Sequence, residues 1–98
     1  LNEGEAGNLV FILLSGTVRI EQGGIEIRRE ASEGAFIGEI AVLTASPRSA
    51  SAIAESTTWT FAMNTADFER FVSYNPAAAV RLMRSLAERV LAERERRG

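Results

Sequence analysis

A mainly β domain closed by C-terminal helices is what the sequence predicts, on three observations. Short β-branched and aromatic runs fill residues 1–63, glycines punctuate those runs, and the apolar period changes from two to about 3.6 from Asn64 onward. A chain of 98 residues has the size of one domain, and such a domain buries about 60 to 65% of the surface its unfolded chain exposes. We read residues 1–98 as that single domain, with a β-rich part over 1–63 and a helical part over 64–98.

The elements follow in order. Two glycines, Gly4 and Gly7, and Asn8 precede Leu9-Val10-Phe11-Ile12-Leu13-Leu14, a run suited to a buried strand, which Gly16 ends. Thr17 to Glu21 and Ile25 to Arg28 both alternate polar and apolar around Gln22-Gly23-Gly24, which predicts a hairpin with a half-buried face. A loop around Gly34 leads to Phe36-Ile37-Gly38-Glu39-Ile40-Ala41-Val42-Leu43, where helix formers after a glycine predict one or two helical turns, ended by Thr44-Ala45-Ser46-Pro47. Two further strands are expected over Ser51 to Glu55 and Thr57 to Met63. Asn64 with Asp67 three residues on is cap-like, and Phe68, Phe71 and Val72 share a helical face. Asn75-Pro76 breaks that helix, and Pro76 suits the first position of the next. There Ala79, Val80, Met83, Leu86, Ala87, Val90 and Leu91 form an apolar stripe.

Composition narrows the function. The chain has no Cys and no His, which removes disulfides, thiolate chemistry, the commonest general acid/base and the commonest transition-metal ligand. We therefore expect neither an enzyme nor a metal site. The net charge is −2, and all 11 basic residues are Arg, seven of them from Arg70 onward. Glu88, Glu93 and Glu95 interleave the terminal arginines, so that helix reads as a solvated face with internal ion pairs rather than a nucleic-acid grip. The longest apolar run is far short of the roughly 20 residues that span a bilayer, and no signal-peptide pattern opens the chain, so a cytoplasmic location is expected. Trp59, Phe61, Phe68 and Phe71, at strand or helix spacing, are expected in the core.

One constellation suits an anion with a ribose attached. Gly38-Glu39-Ile40-Ala41 begins the short helix, and Pro47-Arg48-Ser49-Ala50-Ser51 leads into a strand. Amide groups at a helix start lack partners and attract a phosphate, and Gly38 permits close approach. Arg48 offers a planar fork that meets two phosphate oxygens at once, which Lys does not copy. Ser49 adds a hydroxyl donor, and Glu39 supplies the carboxylate that ribose hydroxyls favour. Singly, Glu39 could be an ordinary first-turn acid and Arg48 a surface ion-pair partner; at this spacing the pair carries the reading.

The run Phe36 to Leu43 with Pro47 to Ser51 resembles the phosphate-binding cassette of the cyclic-nucleotide-binding family, spanning 36–51 here. Glu3-Gly4-Glu5 and Val10 to Val18 resemble that family's glycine-marked early strands. The resemblance implies a double-stranded β-helix, or jelly-roll, with a short phosphate-binding helix and two terminal α-helices. It implies that Glu39 takes the ribose 2′-hydroxyl and Arg48 the cyclic phosphate, and that Gly38, Ile40, Ala41 and Ala50 add backbone contacts. Through the final helix it implies Arg89 as a contact to ribose or base. The expected ligand is cyclic AMP, or cyclic GMP, since Ser49 does not decide the base, and no metal is expected. The implied role is an allosteric sensor for an attached or partner effector, with a homodimer through the C-terminal helix and no direct nucleic-acid or membrane binding. The family's first strand and preceding helix are not found before Leu1, so a fragment without N-terminal elements and effector is expected. The alternative is a ligand-free dimerisation module of the same fold. A β-roll metalloenzyme is rejected for want of His ligands.

Overall fold

The computed structural model describes residues 1–97. Its contacts divide the chain into two compact units, Leu1–Phe68 and a helical unit from Glu69 onward. The first unit holds β1 (Leu9–Ser15), β2 (Val18–Gln22), β3 (Ile25–Glu30), β4 (Phe36–Ile37), α1 (Glu39–Thr44), β5 (Ser51–Ala54), β6 (Trp59–Asn64) and the start of α2 (Thr65–Tyr74). The second holds the rest of α2 and α3 (Pro76–Arg97).

The strands form two antiparallel three-stranded sheets, ordered β4-β1-β6 and β3-β2-β5. The predicted β-rich first part with C-terminal helices is therefore the observed architecture. β2 and β3 join through Gly23 and Gly24, both at positive φ (60° and 76°), the two-residue turn whose twist matches its strands. Between the sheets lies a core of Leu13 from the first and Val18 and Ile20 from the second, with Ile37 of β4; Phe11, Ala35, Ala50 and Ala52 pack against it. Burying each large aliphatic side chain contributes about 1.5 to 3 kcal/mol.

The opposite face of the first sheet carries Val10 paired with Met63, and Ile12 paired with both Phe36 and Phe61. Val10, Met63 and Phe36 are buried there, and Phe36 meets Phe68 edge to face with ring centroids 5.5 Å apart. Asn64 Oδ1 accepts from Asp67 N at 2.8 Å and so caps the helix that delivers Phe68.

Two expectations about burial are corrected. Phe68 is buried and Phe71 half-buried, but Trp59 and Phe61 are 66% and 57% exposed. Both alternate along β6 with the same period as buried Met63, so strand periodicity gave their face correctly and their cover wrongly. Likewise the hairpin's buried face belongs to β2 alone, because Ile25 and Ile27 of β3 are exposed.

In the second unit, Asn75 Nδ2 donates to Phe71 O at 2.8 Å, closing α2, and Pro76 opens α3 where its missing N–H is not needed. α3 buries Ala78 and Leu82 and leaves Val80, Met83, Val90 and Leu91 exposed. Among the described residues no helix is long and apolar enough to cross a membrane.

Candidate functional site

Ile37, locked in the core between the sheets, fixes the end of β4, and the chain then has to reverse into α1. Gly38 makes that reversal at φ 86°, a left-handed conformation that a Cβ would strain. The helix is short because Ala45 again turns left-handed, at φ 51°, and Ser46 N donates back to Ala41 O at 3.1 Å. Pro47 follows and returns the chain toward β5.

Among the described residues only two buried side chains are polar or charged: Glu39, 1% exposed, and Arg48, 7% exposed. Charged groups are almost never buried without a compensating partner, so burial itself singles out this pair. The Arg48 guanidinium donates from NH1 to Gly38 O at 2.7 Å and from NH2 to Leu9 O at 2.9 Å. Both acceptors are neutral carbonyls, so these bonds satisfy part of the fork without cancelling its charge. A guanidinium has five N–H donors, and those not taken by the carbonyls suit the oxygens of an anion. Holding a buried positive charge in this way is costly until an anion meets it. The donor set thus fits a phosphate.

Of the remaining candidates, Gly38, Ile40, Ala41, Ser49 and Ala50 belong to the same unit as that pair, and Arg89 does not. Gly38 caps α1, Glu39 stands in its first turn, Ala41 is buried and Ile40 half-buried. The space a Cβ at Gly38 would need is filled by Arg48 NH1, with Cζ at 3.2 Å. The close approach that Gly38 permits therefore includes Arg48 itself. Ala50 packs on the inter-sheet core, so the strand after Arg48 is anchored. Ser49 is exposed, and its carbonyl accepts from Gln22 Nε2 at 3.1 Å. Arg89 belongs to the second unit, where NH2 donates to Ser85 Oγ at 3.4 Å on the preceding turn of α3. No group of three or more His, Cys, Asp or Glu side chains placed to hold a metal occurs among the described residues.

Sequence reasoning missed the opening segment. Gly4 N donates to Arg48 O at 2.8 Å, Arg48 N donates to Glu5 O at 2.7 Å, and Ala52 N donates to Leu1 O at 3.0 Å, so residues 1–5 run beside 48–52. The early glycines were the available signal, but nothing local connects them to a residue some forty positions later.

The family model described as cyclic nucleotide-binding domain matches residues 1–75. A cyclic nucleotide-gated potassium channel of Mesorhizobium japonicum is 31% identical over 86 residues, covering 88% of this chain and 23% of the channel. The catabolite activator protein of Thermus thermophilus is similar in structure, with a TM-score of 0.76 and 30% identity over 97% of this chain and 46% of that one. The cAMP-bound PfPKA-R, residues 141–441, gives a TM-score of 0.82 at 25% identity, over 97% of this chain and 32% of its own. The chain spans about a quarter or less of the curated relatives it matches.

Proposed function

The chain belongs to the cyclic nucleotide-binding domain family, and from that premise we propose that it is a cytoplasmic, non-catalytic regulatory module that holds cyclic AMP in preference to cyclic GMP and reports its occupancy to an attached or partner effector. The observation that carries the reading is the burial of Glu39 and Arg48 in one short cassette, with Arg48 bonded to carbonyls and its charge left for an anion.

In this reading the cyclic phosphate meets the open side of the Arg48 fork, a charge-assisted contact of about 1.5 to 3 kcal/mol. Glu39 accepts from the ribose 2′-hydroxyl, and the main-chain groups of Gly38, Ile40, Ala41 and Ala50 line the remaining approach. Ser49 adds a hydroxyl donor from the loop. The anion moves Gly38 and α1 because Arg48 is bonded to the Gly38 carbonyl. Phe36, two residues before Gly38, hands that movement to Phe68 at the start of α2. Coupling of this kind is limited by the difference in ligand affinity between the two conformations.

Calorimetric titration with cyclic AMP and cyclic GMP tests the proposal: saturable binding with cyclic AMP the tighter is expected, and no heat with either ligand contradicts it. A second reading, a dimerisation module of the same fold, draws on exposed Val80, Met83, Val90 and Leu91 of α3. Sedimentation with and without cyclic AMP separates a constitutive dimer from a ligand-dependent one.

A further inference from the structure

Arg48 rests on a floor made by two glycines. One, Gly38, needs to be glycine for its backbone. The other, Gly7, does not: its φ lies outside the left-handed region that favours glycine. Yet a Cβ at Gly7 would overlap Arg48 Nε and Cζ and come within 2.9 Å of Cδ. Two residues on, Leu9 O accepts from Arg48 NH2, and two to three residues earlier Glu5 O and Gly4 N hold the Arg48 main chain. The segment from Gly4 to Leu9 therefore grips Arg48 at its backbone, along its stem and at its tip.

We propose that Gly7 is a positioning residue for Arg48: the missing side chain at residue 7 is what lets the guanidinium lie against the main chain and reach the Leu9 and Gly38 carbonyls, which aims its remaining donors at the ligand. The inference rests on Arg48 being the anion-binding group proposed above. An Ala at position 7 costs little in backbone terms. The overlap falls on the far part of a flexible side chain, so the guanidinium yields, loses its two carbonyl acceptors and leaves the geometry in which it meets a phosphate. Because the group is buried, it has little room in which to find another arrangement.

The test is a double-mutant cycle of Gly7→Ala with Arg48→Ala, read both as cyclic AMP affinity by calorimetry and as the melting temperature without ligand. With Arg48 present, Gly7→Ala is expected to weaken cyclic AMP binding about tenfold or more and to lower the melting temperature. With Arg48→Ala in place, the same substitution is expected to change affinity less than about twofold and to leave the melting temperature level or slightly raised, since Ala restricts the unfolded chain. Arg48→Leu replaces Arg48→Ala if the latter does not fold. Equal losses in both backgrounds, or no loss with Arg48 present, overturn the proposal. If the unsubstituted chain binds no cyclic nucleotide, the functional reading fails by itself. The ligand-free melting temperatures then decide Gly7: a penalty confined to the Arg48 background upholds its positioning role, and an equal penalty overturns it.

Discussion

On the β3-β2-β5 sheet, Arg19 and Arg29 share Glu55, at 3.5 and 2.9 Å, and each holds a second carboxylate, Glu21 at 2.6 Å for Arg19 and Glu26 at 3.1 Å for Arg29. In the cassette, Arg48 is far more buried and is bonded to two neutral carbonyls. In the first arrangement both arginines are fully met by carboxylates near the surface, where ion pairs contribute little and are screened. The second keeps a positive charge in a place where an anion is attracted with little competition from water. Charge balance around an arginine, more than its presence, separates the paired arginines of the sheet from the one proposed to bind an anion.

Breaking the buried side of that comparison has the largest expected effect. Arg48→Ala should weaken cyclic AMP binding by about 2 to 4 kcal/mol, roughly 30- to 1000-fold, as measured by calorimetry. Next is Glu39→Gln, which keeps the shape of the side chain and removes its charge. It should weaken cyclic AMP about tenfold, near 1.4 kcal/mol, and leave 2′-deoxy cyclic AMP within about twofold, so that a competition assay assigns the ribose contact. Ala45→Gly sharpens the comparison from the backbone side. The left-handed φ of Ala45 is strained for a residue with a Cβ, and relieving it should stabilise the fold by up to about 1 kcal/mol in denaturant unfolding while affinity stays unchanged. The smallest effect belongs to the balanced arginine: Arg19→Ala should cost under about 1 kcal/mol of stability and leave cyclic AMP affinity unaltered.

The cassette was legible in the sequence because its chemistry sits in residue types at short spacing. Gly38 marks a turn that only a small side chain permits, and Glu39 and Arg48, the groups proposed for ribose and phosphate, are the two charged side chains that the described structure buries. The Gly23-Gly24 hairpin, the Asn64 cap and the break at Pro76 are local in the same sense. What escaped depends on distant parts of the chain. Trp59, Phe61 and Ile25 have the periodicity of buried strand residues, but cover is supplied by other elements and stops short of them. The Leu9 carbonyl that holds Arg48 is 39 residues away along the chain, and the space above Gly7 is filled only once that arginine has folded over it. Residue type announces a candidate charge; only the folded chain shows that the charge is buried and what it is bonded to.

Thermal unfolding of this chain with graded cyclic AMP and, in parallel, linear AMP tests most directly whether the cassette is an anion site shaped for a cyclic nucleotide. At about 100 times its dissociation constant, a ligand that binds only the folded state stabilises it by about 2.7 kcal/mol, a shift of roughly 10 to 20 °C in a domain this small. The account predicts that shift with cyclic AMP and little with linear AMP. Equal shifts with both nucleotides, or none with either, would contradict it.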